Sequence, residues 1–449
     1  MPKKLPPIPD KSQLKLRKTL SAPGLLKNVR NEFEKIPEHR SGKVKYTLPD
    51  VLMSGLAMFG LKYPSLLQFD KARNEKTIKA NLSELYGVEQ APCDTQMREV
   101  LDPVNPEDLR QVYTSIHQQL QRQKVLEKYQ YLGGYLVSLD GTGQFASNNV
   151  SCKDCCCKNL RNGKKQYYHQ LLGAVIVHPS KSHVFPLFPE AITRQDGESK
   201  NDCERNASKR LLPAIREAFP KLKIIIVEDA LASNAPHIRL LEKLSLSYIL
   251  VAKPSDHAYM FKIVEEHKTN GNVGKNETQD KDGTTRVYNY INNISLNASN
   301  PELLVNFLEY WEFKDGEQVY YNTWITDIEL HQDNIYHVMR GGRARWKIEN
   351  ETFNTLKNQG YNLEHNYGHG EQYLSTVLAM LMMLQFLIDQ VQEVACPLFK
   401  AARGRFHSRA QLWDFIRGRF LGHLLPSWEV LWKSIIYGFK PEVIQLDTS

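Results

Sequence analysis

The chain has 449 residues, 41% hydrophobic and 24% charged, with a net charge of +8 and a pI near 8.9. That length allows a large core and two or three structural units. The composition is that of an ordinary soluble globular protein, which argues against a wholly disordered or fibrous chain. The positive balance leans towards a polyanionic partner.

Residues 1–46 are rich in Pro and Lys, show no clear period, and are expected to form a basic, disordered arm. Residues 1–47 hold twelve Lys or Arg against four Asp or Glu, an excess equal to the net charge of the whole chain. Such an arm binds phosphate backbones without sequence preference; a solvated tail is the plain alternative. The opening MPKKLPPIPDKSQ lacks the apolar core of a secretory signal, so a cytoplasmic location is expected.

Residues 47–130 read as a helical, DNA-binding domain. Thr47 is a plausible N-cap, with Pro49 and Asp50 in the first turn. A second helix starts at Asn105-Pro106, and Leu109, Val112, Tyr113, Ile116 and Leu120 follow its period. The segment PCDTQMREVLDPV is a candidate half of a helix-turn-helix.

From residue 133 the pattern turns to strands: GYLVSLD, YHQLLGAVIVH (168–178) and SHVFPLFP (182–189). A polar loop leads to a helix kinked near Pro213. KIIIVED (223–229) reads as a central buried strand, followed by a helix around 234–244 and the strand SYILVAK (247–253). Residues 255–335 alternate polar and apolar and read as antiparallel strands. The order of three strands, helix, strand, helix, strand and a later helix is that of an RNase H-like α/β domain. Its mixed sheet is flanked by helices, and this domain is placed at 131–390 with a β-rich insertion at 255–335.

The chain is helical again after 371. YLSTVLAMLMMLQFLI (373–388) is 16 residues long, short of the roughly 20 a membrane span needs, and reads as a buried helix. In the helical segment 391–449, KAARGRFHSRAQLWDFIRGRF interleaves aromatics with Lys400, Arg403, Arg405, Arg409, Arg417 and Arg419, a pattern suited to nucleic-acid contact. A solvated helix face explains it equally well.

Three carboxylates carry the chemistry. Asp140 and Asp229 are expected at strand ends, and Glu349 on the helix GGRARWKIENETFNTLK, sharing a face with Arg345 four residues earlier. Such acids can hold two divalent cations that activate a nucleophile and stabilise the leaving oxygen of a phosphodiester. Glu228 is expected to point away from Asp229 on the pleat, and Glu351 is a competitor to Glu349 on another face. Glu190, Asp196 and Asp202 read as solvated loop acids.

Seven cysteines are an odd number, and four crowd into Cys152, Cys155, Cys156 and Cys157. Cys152-x-x-Cys155 has the knuckle spacing of structural zinc sites, with Cys156, Cys157, His169, His178 and Cys203 as candidate further ligands. A reduced, thiol-rich loop is the alternative. His365 and His369 in EHNYGHG are expected in a loop.

The stretch RWKIENETFNTLK resembles the glutamate motif of DDE transposases of bacterial insertion sequences. There an Arg precedes the Glu by four positions within RW-x-IE, here Arg345, Trp346, Ile348 and Glu349. LDGTG around Asp140, VEDALASN around Asp229, YYHQLLGAVIVHP, QDGESKNDCERNASKRLLP and GYNLEHNYGHG resemble further family segments, over roughly residues 130–390. Two positions depart: Gly342, where the family often has Tyr, and Leu356, where it often has Lys, with Lys357 one further on.

The resemblance implies an RNase H-like fold, two Mg²⁺ (or Mn²⁺) ions on Asp140, Asp229 and Glu349, cleavage at element ends and transfer of a 3′-OH to target DNA. Arg343, Arg345, Lys347 and Lys357, with Arg403 and Arg405, are the candidate DNA contacts. Terminal inverted repeats and target DNA are the expected partners, bound by a homo-oligomer such as a dimer, without a membrane. A domesticated regulator that binds without cutting, or a nuclease without strand transfer, are the alternative readings.

Overall fold

A computed structural model describes residues 7, 15–153, 155–197 and 200–438, the side chains of 200–203 excepted. Most of the first fourteen residues, and residues 439–449, therefore lie outside the described residues. The chain divides into two compact units, residues 1–122 with 355–449, and residues 123–354. The boundaries expected at 47, 131 and 391 thus differ from those observed, and residues 355–390 belong with the helical unit.

The helical unit begins with α1 (Ala22–Phe33), α2 (Leu48–Gly60), α3 (Leu66–Ala72), α4 (Lys76–Tyr86), α5 (Asp94–Leu101) and α6 (Pro106–Arg122). Helix α1 lies inside the stretch expected to be a disordered arm. Its Leu25, Leu26, Val29 and Phe33 form one buried face at helical spacing, which the charge count of that stretch conceals. Thr47 caps α2, its hydroxyl accepting from the Asp50 N–H, and α6 carries the period read from Leu109 to Leu120.

The second unit is built on one sheet of twelve strands among the described residues. In chain order they are β1 (Gln130–Tyr131), β2 (Gly134–Ser147), β3 (Cys156–Asn159), β4 (Lys165–Val177), β5 (Phe185–Pro186), β6 (Glu190–Ile192), β7 (Ile224–Glu228), β8 (Ser247–Val251), β9 (Gly274–Gln279), β10 (Thr285–Asn297), β11 (Asn300–Lys314) and β12 (Glu317–Thr326). The strand expected at 182–189 is reduced to the two-residue β5; β6 follows beyond it, and both pair with β4. The spatial order is β3-β4-β2-β7-β8-β12-β11-β10-β9. Strands β2, β7 and β8 are parallel, whereas β4 runs antiparallel to β2 and β12 antiparallel to β8. The region read as a β-rich insertion extends this same sheet beyond β8 instead of folding apart from it.

Helices of this unit are α7 (Lys200–Ala218, with Pro213 inside), α8 (Ala235–Lys243), α9 (Ala258–Thr269) and α10 (Ile335–Arg343). They cover both faces of the sheet. Asp140 pairs directly with Gly173, so the two share a face, and a Cβ at Gly173 would meet the Phe353 ring at 2.9 Å. The next residue, Gly141, faces the other way, where a Cβ would meet Glu204 of α7 at 2.5 Å. The result is a mixed α/β unit with a mixed sheet flanked by helices.

The helical unit resumes with α11 (Asn354–Asn358), α12 (Leu374–Ala395), α13 (Pro397–Arg403), α14 (Arg409–Gly422) and α15 (Trp428–Tyr437). Asp102, just past α5, accepts from the backbone N–H groups of Gln372, Tyr373 and Leu374 and so satisfies orphan donors at the start of α12. Helix α12 has 22 residues and is long and apolar enough to cross a membrane by length and composition, yet 94% of its most apolar stretch is buried. Its polar residues are matched inside the unit: Asp389 by Lys62 and Glu393 by Arg409.

Candidate active site

Strand β2 sets the first carboxylate. Asp140 does not end this strand, as expected from the following Gly141-Thr142-Gly143, because β2 continues to Ser147 through its pairing with β4. What ends near Asp140 is the parallel pairing with β7, whose last partners are Ser138 and Val227. Asp140 and Asp229 each stand two residues beyond those partners, at the same end of neighbouring parallel strands. Asp229 leaves β7 and caps the turn Ala230–Ala232, its Oδ1 accepting from the Leu231 N–H at 2.9 Å. Both aspartates line one pocket.

The third carboxylate arrives on a distorted helix. After α10 the chain tightens into a 3₁₀ turn, Ala344–Trp346, then widens into a π-helical stretch, Ile348–Phe353, that contains Glu349. Such wide turns recur at functional sites because they re-aim side chains. Arg345 is buried at the centre: its Nη1 lies 3.1 Å from Glu349 Oε1 and 3.8 Å from Asp140 Oδ2, its guanidinium stacks 4.2 Å from the Trp346 ring centre, and its carbonyl accepts from the Ser138 hydroxyl at 3.0 Å. Burial, then a hydrogen bond shared with Glu349, push the Asp140 carboxyl up to about 7 despite Arg345. The oxygen donors suit Mg²⁺ or Mn²⁺, which are hard ions that take carboxylates.

The structure adds acids that were missed or misjudged. Glu204, early on α7, lines the pocket of Asp140 and Asp229 and raises Asp140 further; it lies within the segment QDGESKNDCERNASKRLLP but was not singled out there. Glu228 is buried and meets the His237 Nε2 at 2.7 Å. Burial lowers the His237 pKa, but the Glu228 charge outweighs it and holds the imidazole above its ordinary value. Glu351 sits near Lys347, where its charge partly offsets the lowering of the lysine by burial. Glu190 and Asp196 are not solvated loop acids: both are buried and both pair with Arg210. The Asp202 side chain lies outside the described residues.

The candidate DNA contacts divide. Arg286, Arg340, Arg343 and Lys347 line a groove of about 290 Å³ beside Tyr336 and Met339. Arg343 pairs with Glu312 at 2.7 Å and stacks on Tyr320, while Lys347 donates to the Lys181 carbonyl at 2.8 Å. In the helical unit Lys357 pairs with Glu364 at 3.0 Å, and Arg403 donates to the Phe406 carbonyl. Arg405 is half-buried. Arg409 and Arg417 are engaged internally, with Glu393 and with the Lys62 carbonyl, so part of that basic stretch holds the fold. Gly342 also has a packing reason: a Cβ there would meet Trp324 Nε1 at 2.4 Å.

The cysteine cluster is resolved into roles. Cys152, Cys155 and His169 gather into one Cys/His group able to hold a metal ion. The neighbouring Cys152 sulfur, then burial, push the Cys155 thiol up. Cys156 donates to the Ile192 carbonyl, Cys157 is exposed, and His178 packs against Tyr129 and Tyr131. The Cys203 side chain lies outside the described residues. His365 and His369 stand in an irregular segment, as expected. Compared with known proteins, the chain matches no protein-family model and no curated protein.

Proposed function

We propose that the chain is a DDE-type DNA transposase of the insertion-sequence kind, with the sheet unit as an RNase H-like catalytic domain. The observation that carries this reading is the meeting of Asp140, Arg345 and Glu349, with Asp229 beside Asp140 on the neighbouring parallel strand. The order β4-β2-β7-β8, with β4 alone antiparallel, supports the RNase H-like fold.

In this mechanism Asp140, Asp229 and Glu349 would hold two Mg²⁺ or Mn²⁺ ions. When bound, such a pair supplies activation of the attacking oxygen and charge relief at the phosphate. Arg345 is a positioning residue that keeps Glu349 turned towards Asp140. The groove of Arg286, Arg340, Arg343 and Lys347 lies along the helix that continues to Glu349 and takes the phosphate backbone. The helical unit binds the terminal inverted repeats. Joining two ends requires a homo-oligomer, of which a dimer is the smallest, acting in the cytoplasm.

The test is a plasmid carrying the inverted repeats that flank the gene, incubated with the full chain and Mg²⁺ or Mn²⁺. Metal-dependent 3′-OH ends and joined products are expected. Asp229→Ala should lower both on the order of a thousandfold, the equivalent of several kcal/mol of lost transition-state stabilisation. Binding without cutting under both metals moves the function to a regulator. Nicks without joined products move it to a nuclease, and cutting that survives Asp229→Ala places the active site elsewhere.

A further inference from the structure

A Cys/His cluster lies beside β4 on the face that Asp140 shares with Gly173, and its chemistry differs from that of the carboxylates. The Cys152 and Cys155 sulfurs are 3.5 Å apart, and His169 Nε2 lies 3.2 Å from the first and 3.3 Å from the second. A tetrahedral zinc ion with Zn–S bonds of about 2.3 Å and a Zn–N bond of about 2.0 Å separates its ligands by roughly 3.5–3.8 Å. The observed triangle is within a few tenths of an ångström of that. A disulfide would need sulfurs about 2.05 Å apart, so the two thiols are not bridged, and their spacing is compatible with ligands around an ion.

The backbone presets this triangle. The Cys155 N–H donates to the Cys152 carbonyl at 3.3 Å, and the Cys152 N–H donates to the Cys155 sulfur at 3.4 Å, which folds the knuckle. His169 projects from β4 and is buried, with the Phe145 ring 5.3 Å away. It lies four residues from Gly173, the partner of Asp140, and therefore on the same face, about 13 Å along the strand. The irregular step in the β2–β4 ladder falls between Gly143 and Ala146 on β2, so β4 keeps its alternation and His169 its direction.

We propose that Cys152, Cys155 and His169 hold a structural zinc ion, with one further donor completing the tetrahedron, and that this ion ties the loop between β2 and β3 to β4. The bound ion replaces two thiol protons and cross-links the continuation of the strand that carries Asp140. The assignment rests on the donor set and its geometry, not on the transposase reading, and it holds or fails independently of it.

The test uses the full chain, purified without chelator. About one zinc ion per chain is expected by elemental analysis. Replacement by Co²⁺ should give thiolate-to-cobalt charge transfer and tetrahedral d–d bands. Cys155→Ser and His169→Ala should lose the ion, while Cys157→Ser, which alters an exposed neighbour, should keep it. If either ligand variant fails to fold, alkylation of the native chain still decides: zinc should protect Cys152 and Cys155 but leave Cys157 reactive, and chelation should expose all three. A zinc-free chain whose thiols react equally, or a Cys152–Cys155 disulfide, overturns the proposal. Retention of the ion in a folded His169→Ala chain removes His169 from the ligand set.

Discussion

The helical unit and the sheet unit each bury a cation against carboxylates, and they do so to opposite effect. In the helical unit Lys62 Nζ lies 2.7 Å from Asp389 Oδ2, which also accepts from the Tyr361 hydroxyl, while the Gln385 amide donates to the other oxygen. Lys62 adopts a left-handed backbone with φ of 56° at the end of α2, and its ammonium rests 4.1 Å from the Tyr361 ring centre and 4.3 Å from that of Trp413. Burial lowers the Lys62 pKa and Asp389 counteracts it. The buried charges are matched one to one, so the cluster is electrostatically closed. In the sheet unit one buried Arg345 faces Asp140 and Glu349, and Asp140 also lines a pocket with Glu204, Glu228, Asp229, Arg205 and His237. That cluster carries excess negative charge. The contrast separates a cluster whose buried charges pair one to one from one in which a single guanidinium meets two carboxylates.

Breaking the closed cluster should have the largest effect on stability. Asp389→Ala leaves a buried ammonium without its counter-charge and should cost about 3–5 kcal/mol in denaturant unfolding. Replacing both Lys62 and Asp389 by apolar residues of similar size should cost far less. A loss under about 1 kcal/mol for the single change would show that the pair is not dry.

The open cluster should respond to pH in the reverse sense from a salt-bridged acid. Asp140 is raised from 3.8 to about 7 in the folded chain, so the folded state holds this proton more tightly than the unfolded state. Its contribution to stability is complete below about pH 4 and is lost as the pH rises through about 7, a loss on the order of 1–3 kcal/mol. Divalent cation should restore that loss by favouring the ionised form. Thermal unfolding with and without Mg²⁺ should therefore show a larger stabilisation at pH 8 than at pH 6, and Glu349→Gln should flatten the difference. Equal Mg²⁺ shifts at the two pH values would contradict the convergence of these acids.

The smallest expected effect sharpens the packing that presents Glu349. Gly342→Ala gains helix propensity but places a Cβ against the Trp324 indole, for a net loss of about 1 kcal/mol. Circular dichroism melts would read this, and an unchanged or raised Tm would mean that Trp324 yields without cost.

The acidic site was legible where local rules apply. Branched residues over 224–227 marked a buried strand ending near Asp229, and the four-residue spacing of Arg345 and Glu349 marked one helix face. The length of β2 was not legible, since Gly141 and Gly143 look like a turn and only pairing with β4 keeps them extended. Glu204, Glu228 and His237 carry no local signal, because their roles depend on helices α7 and α8 packing beside β2 and β7. The pairing of Glu190 and Asp196 with Arg210 joins residues up to twenty positions apart, beyond any periodicity.

By itself, then, the sequence determined the order of elements, the identity of three candidate metal-binding acids, and the cysteine spacing of a possible zinc knuckle. These follow from periodicity, propensity and spacing, which act over a few residues. The tertiary structure alone decided that Asp140 stands mid-strand beside Asp229, that a single Arg345 bridges Asp140 and Glu349, that His169 completes the group with Cys152 and Cys155, and that α1 is ordered. Those outcomes depend on strand pairing and on burial between residues far apart in the chain, where desolvation and charge, not local preference, set the result.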